Sequence, residues 1–148
     1  MTGQKIVLRD RARRERSQKF IPCNFNVILR APEIVSARTI ASYVSYGFEP
    51  STVEINDAFL REGKTLVLPR INADQLEWVT WNGDPNQLIT RKKILEPLGD
   101  ALTDLSQISA VIVPALRIDQ SGYRLGQGGG HYDRALPLLT AWKIGLVY

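Results

Sequence analysis

Ile108-Ser-Ala-Val-Ile-Val113 turns wholly apolar before Pro114; Gly122-Tyr-Arg-Leu-Gly126-Gln-Gly-Gly-Gly130 and His131-Tyr-Asp-Arg-Ala-Leu-Pro-Leu-Leu139 follow it. A continuous apolar end suits a strand buried on both faces, the condition of strands in a parallel sheet covered by helices. The glycines then mark a loop, residues 131–139 read as a helix, and 143–148 as a final strand. Strand, glycine loop and helix in this order form a recurrent device for holding phosphate. Glycine lets backbone N–H groups close on oxygen atoms, and the helix N-terminus carries partial positive charge. The plainer alternative is a flexible turn between two elements. The loop lacks the Lys-Ser/Thr of a P-loop and the spacing of a dinucleotide fingerprint, so neither of those is favoured.

Working outward, residues 65–69 form a short buried strand, 75–81 alternate as another, and Asn82-Gly-Asp-Pro85 is turn chemistry. Ser51-Thr-Val-Glu54 reads as a capping box opening a helix that ends near Glu62-Gly63. Residues 36–44 predict a helix followed by a strand at 42–45, although their β-branched and aromatic side chains also suit a strand. A loop carries Glu96-Pro97, and a short helix is expected over 98–105. Residues 4–19 contain no Gly or Pro and favour a helix stopped by Pro22. Strands alternating with helices predict an α/β fold, one domain over 1–148 with a mostly parallel central sheet and helices on both faces.

At 148 residues and 44% hydrophobic content, the chain can bury a core without metal or disulfide staples. Its single cysteine, Cys23, has no internal partner and reads as a structural thiol in a reducing compartment. No apolar run is long enough to span a bilayer and the basic N-terminus does not resemble a secretion signal, so a soluble, cytoplasmic protein without membrane partners is expected. From Lys5 to Lys19 seven cations oppose Asp10 and Glu15, a net +5 within a chain total of +4. The basic character therefore belongs to one segment, and on a helix Lys5, Arg9 and Arg13 share a face. A local polyanion is the partner implied. Nucleic acid is disfavoured, because the remainder is near neutral and shows no aromatic stacking pattern.

Within the loop, Arg124 adds a full charge. Asp133 falls in the first helical turn, where a carboxylate suits the macrodipole and could also hold Mg²⁺ beside a nucleotide phosphate. His131 opens the same helix and would lie beside a bound anion, though a lone histidine is more often structural. Tyr132 suits a pocket or a core equally.

The stretch from Val113 to Arg134 resembles the signature of the 5-formyltetrahydrofolate cyclo-ligase (methenyltetrahydrofolate synthetase) family. That signature reads Val-Pro-Gly, a short link ending in Asp, then Gly-x-Arg-Leu-Gly-x-Gly-x-Gly-Tyr-Tyr-Asp. Ala115 replaces the glycine after proline and His131 the first tyrosine. Lys5 with Leu8-Arg9, Glu49 with Thr52, Leu68-Pro69-Arg70, Glu96-Pro97 and Lys143-Ile-Gly-Leu146 extend the likeness over nearly the whole chain.

The resemblance implies that ATP activates the formyl oxygen of 5-formyltetrahydrofolate as a phosphate, that N10 attacks, and that loss of phosphate leaves 5,10-methenyltetrahydrofolate. It makes Lys5 and Arg9 nucleotide-phosphate ligands. It gives Arg124, Leu125, Gly126, Gln127, Gly128, Gly129, Gly130, His131 and Tyr132 to ATP, with Arg124 and Tyr132 also at the reacting group. Asp133 becomes a Mg²⁺ ligand, Glu49 a hydrogen-bond partner of the pterin, and Val44 part of the same pocket. An ordinary capping role before Pro50 is the alternative for Glu49. The family pattern continues past the last strand with a His-Asp segment and a further metal-binding aspartate, which this chain is expected to lack. A catalytically impaired remnant that binds nucleotide or folate is therefore the other function the resemblance allows.

Overall fold

The apolar run before Pro114 is a strand, Ala110–Pro114, whose first four residues are buried. The computed structural model describes residues 2–18 and 24–148; Cys23 and the helix stop at Pro22 lie outside the described residues. In chain order the elements are α1 (Thr2–Gln18), α2 (Pro32–Ser36), β1 (Thr39–Ala41), α3 (Val53–Arg61), β2 (Thr65–Asn72), β3 (Gln75–Trp81), β4 (Leu88–Arg91), β5 (Ile94–Pro97), β6 (Ala110–Pro114), β7 (Arg117–Ile118), β8 (Arg124–Leu125), α4 (His131–Ala135) and β9 (Trp142–Leu146). The main sheet runs β3-β2-β1-β6-β9. All its pairings are parallel except β2 with β3, in agreement with the predicted mostly parallel α/β fold.

Alternation along the central strands sorts the core into two layers. Ile40, Leu66, Leu68 and Ile112 pack with Ile34 of α2 and Ile55 and Phe59 of α3. Ala41, Val67, Val111 and Val113 pack on the other face with Trp78 and with Leu139 and Ala141 beyond α4. Among the described residues, no helix is long and apolar enough to cross a membrane.

Several local expectations are corrected. The helix drawn from Ser36 onward ends at that residue, and the strand expected at 42–45 lies earlier, at Thr39–Ala41. Ile40 and Ala41 are fully buried between β2 and β6, so neighbouring strands decide what local propensity left open. The helix after Pro50 forms, but not by a capping box. Thr52 is its N-cap residue, and its hydroxyl donates to the Tyr43 carbonyl at 2.5 Å instead of capping the helix. Glu54 takes the Asn26 amide at 2.9 Å.

The loop around Glu96-Pro97 is the antiparallel hairpin β4–β5, hidden because its tip uses Lys92 and Lys93 at φ +48° and +68° where glycine or asparagine would signal a turn. The helix expected over 98–105 is absent. Gly99 sits at φ +119°, Ala101 bridges to Val79, and only a 3-10 turn at Leu105–Gln107 remains. The helix of 131–139 is α-helical only to Ala135 and continues as a 3-10 turn, since Pro137 has no N–H to donate.

A buried polar network joins the segment after β1 to α3. Ser42 Oγ donates to Asn56 Oδ1 at 2.6 Å, and Asn56 Nδ2 donates to the Tyr43 carbonyl at 3.0 Å. Asn56→Ala leaves the buried Ser42 hydroxyl without its acceptor, while the Tyr43 carbonyl keeps the Thr52 hydroxyl, so a loss of about 1–3 kcal/mol in unfolding free energy is expected from urea denaturation.

Candidate active site

β1 leads away to β2 on one side, while β6 leads to β9 on the other. The order therefore reverses between β1 and β6, and the carboxyl ends of such neighbours form a crevice that side chains do not fill. A cavity lies there, with about 1090 Å³ of empty space that is partly open to solvent. The segment after β1 forms one wall, α1 and the glycine loop form a second, and β2, β3 and β5 form a third.

The second wall is assembled by arginines. Arg9 Nε donates to the Gly126 carbonyl at 2.9 Å, and Arg13 Nη2 to the Gln127 carbonyl at 2.9 Å. Arg16 Nη2 donates to the Ala115 carbonyl at 2.6 Å. Spacings of four and three put these side chains on one helix face. The docking face is thus Arg9, Arg13 and Arg16, one turn further along α1 than the face anticipated from Lys5. From outside, Arg134 Nη2 reaches the Gly129 carbonyl at 3.1 Å. Gly128 adopts φ +115°, which favours glycine, and a Cβ on Gly126 would stand 2.7 Å from the Arg124 guanidinium.

Arg124 has a side chain only 14% exposed. Its Nη1 donates to the Pro114 carbonyl at 2.8 Å, Nη2 lies 3.4 Å from Asp133 Oδ1, and the guanidinium sits 5.2 Å from the Tyr132 ring centre. Its Nε is buried without a hydrogen-bond partner among the described residues, leaving donor capacity for a ligand. Tyr132 lines the cavity and also meets Trp78 edge-on at 6.3 Å, so pocket and core roles coincide. Burial lifts its phenol well above the usual range and keeps it protonated.

On the first wall, Glu49 Oε2 accepts the Tyr46 N–H at 3.1 Å. Burial nevertheless pushes the Glu49 carboxyl up to about 6, against the opposing effects of that hydrogen bond and of Arg16. The third wall is mostly apolar, from Pro69, Ile71, Leu76, Ile94 and Leu95, and includes the buried Glu96.

Of the residues singled out in the sequence, Arg9, Val44, Glu49, Arg124 and the whole run from Gly126 to Asp133 line this cavity. Lys5 and Leu125 do not. Lys5 is exposed one turn before Arg9, and Leu125 lies in β8, where its carbonyl takes the Leu116 N–H at 2.8 Å. Arg16, Tyr43, Tyr46 and Glu96 were missed. Arg16 had a readable signal, three residues from Arg13 on the same face; the others depend on the folding of distant segments.

One end of the cavity is therefore rich in guanidinium and glycine backbone, and another combines aromatic groups with carboxylates. The first suits a polyphosphate and the second a planar ring bearing N–H donors. Among the described residues no three or more His, Cys, Asp or Glu side chains gather as a metal site. The exposed carboxylate of Asp133 at the loop end still fits Mg²⁺, which keeps several waters and takes one or two carboxylates plus phosphate oxygens.

A profile described as the 5-formyltetrahydrofolate cyclo-ligase family matches residues 6–145. The chain is 34% identical over 110 residues to the 5-formyltetrahydrofolate cyclo-ligase of Escherichia coli (strain K12), covering 71% of this chain and 60% of that protein. It is 33% identical over 111 residues to that of Mycolicibacterium smegmatis, covering 69% and 56%. The chain thus spans about three fifths of the length of these curated relatives. The NMR structure of Aquifex aeolicus 5,10-methenyltetrahydrofolate synthetase superposes with a TM-score of 0.78 at 26% identity, over 97% of this chain and 77% of that one. The fold is shared also with a 5,10-methenyltetrahydrofolate synthetase from Mycoplasma pneumoniae, at a TM-score of 0.70 and 22% identity over 95% of this chain and 83% of that one.

The raised carboxyl of Glu49 fixes the sign of a pH effect. The folded state holds this proton more tightly than the unfolded one, so its contribution is most favourable below about 4.5 and is lost as pH rises through about 6. Glu49→Gln keeps an acceptor for the Tyr46 N–H and removes the ionisation. It is expected to be more stable than the parent at pH 7.5 by up to about 2 kcal/mol and equally stable near pH 4.5, as thermal denaturation at the two pH values will show.

Proposed function

Because the chain belongs to the 5-formyltetrahydrofolate cyclo-ligase family, we propose that it converts 5-formyltetrahydrofolate to 5,10-methenyltetrahydrofolate with consumption of ATP and release of ADP and phosphate. The observation that carries this reading is the single cavity joining a glycine loop and half-buried arginines to a carboxylate-bearing aromatic wall. Two substrates of such different chemistry need both ends within reach of one reacting atom.

The loop from Gly126 to His131 cradles the polyphosphate with its backbone N–H groups, while its carbonyls at Gly126, Gln127 and Gly129 are turned to arginines. Arg9 and Arg124 supply charge, Leu125 anchors the start of the loop, and Lys5 is left to the outer end of the phosphates. Asp133 holds Mg²⁺, which when bound neutralises phosphate charge. Val44 and Glu49 receive the pterin, with the ionised Glu49 accepting its N–H donors.

In the reaction the formyl oxygen bonds to the γ-phosphorus as the bond to ADP breaks. N10 then attacks the activated carbon and gives up its proton to solvent, and that oxygen leaves with phosphate. Arg124 is placed against the charge that moves onto the transferred group, and the protonated Tyr132 donates a hydrogen bond at the reacting oxygen. Phosphoryl transfer requires positioning and electrostatic stabilisation and no nucleophilic side chain. The reading implies a cytoplasmic setting, where ATP and reduced folates meet. It leaves no nucleic-acid role for Arg9, Arg13 and Arg16, which are engaged with backbone carbonyls.

With 5-formyltetrahydrofolate, Mg²⁺ and ATP, the ultraviolet absorbance of the methenyl product is expected to rise, and to stay flat without ATP. Asp133→Ala is expected to lower the rate at least about 100-fold while the protein stays folded. Saturable binding of both substrates with no rise in absorbance would replace catalysis by the ligand-binding remnant.

A further inference from the structure

We propose that Glu96 is a second ligand-reading carboxylate of this cavity, accepting a ring N–H of the folate through its free oxygen Oε1; the inference rests on the folate reading above. Glu96 is only 2% exposed, on the strand of the β4–β5 hairpin that faces β2. Its Oε2 accepts the Ile71 N–H at 2.6 Å, which ties the hairpin to the main sheet and fixes the carboxylate. Its Oε1 is buried and accepts no hydrogen bond among the described residues.

A carboxylate oxygen buried in a cavity wall shared with Ile71, Leu76, Ile94 and Leu95 is costly unless a donor meets it. Arg91 does not meet that cost. Its Nε stands 3.4 Å from Oε1 without hydrogen-bond geometry, and its side chain is 58% exposed, so the charge remains largely solvated. The tie to Ile71 needs only an oxygen, which a neutral glutamine would supply. What the carboxylate adds is a second, purely accepting oxygen on the cavity wall. A reduced pterin, with an amino group and several ring N–H groups on a flat apolar body, presents the matching donors; ATP binds at the glycine loop.

The test is calorimetric titration of 5-formyltetrahydrofolate, without ATP, into the parent, Glu96→Gln and Arg91→Met. The glutamine keeps an acceptor for Ile71 and turns an NH₂ toward the ligand's own donors. It is expected to weaken folate binding about 30-fold or more, with the thermal midpoint not lowered and affinity for a non-hydrolysable ATP analogue unchanged. Arg91→Met is expected to bind folate within about twofold of the parent. Glu96→Asp keeps the charge but withdraws it by one methylene; it should show the same selective loss, and it decides the matter should the glutamine variant not fold. Folate binding by Glu96→Gln equal to the parent's, or an equal loss in Arg91→Met, overturns the role of Oε1. A parent that binds no folate sinks the functional reading and this inference with it.

Discussion

The pairing of Ile40 with Ala110 and Ala41 with Val111 holds the molecule's two halves in one sheet. β1 is only three residues long and lies between β2 and β6, so its backbone is committed on both edges. The chain departs from these adjacent strands in opposite lateral directions. That divergence opens a crevice at their carboxyl ends, into which the segments carrying Glu49 and the glycine loop both descend. Much of the site's geometry follows from those two registers.

The contents of the crevice show how charge is managed where solvent is scarce. Arg9 and Arg13 satisfy carbonyls of the glycine loop and Arg16 that of Ala115 just after β6, so the basic helix supplies donors that no strand or helix provides there. The acidic side is less well compensated. Glu49 is held with a raised pKa, and one oxygen of Glu96 has no hydrogen-bond partner among the described residues. Groups that weaken the folded state while lining a cavity are what a binding site requires, because a ligand can supply the missing partners.

Glycine has a positional reason here beyond flexibility. At Gly126 a side chain would collide with the Arg124 guanidinium, and Gly128 needs a positive φ beside Arg9. The loop can therefore press against its arginine supports on one side and leave its backbone available to the cavity on the other. Tyr132 extends the arrangement into the core, where Trp78 fixes its ring beneath Arg124.

The parallel core and the strand, glycine loop and helix that border the cavity were legible in the sequence. A continuous apolar run, clustered glycines and a following helix are local signals, and alternation along 75–81 marked β3 at its true bounds. The contribution of Arg9, Arg124, Glu49 and Val44 to one cavity was legible through family resemblance, since nothing local brings residues 9, 44 and 124 together. The hairpin carrying Glu96 was not legible, because its turn uses lysines in a left-handed conformation. Nor was the place of β1, whose residues suit helix and strand alike until β2 and β6 flank them. The sequence by itself determined which elements carry periodic or turn-forming residues, because those preferences act over a few neighbours. Only the tertiary structure decided that Arg16, Tyr43 and Glu96 share a cavity, because burial and pairing depend on what distant segments bring to the same place.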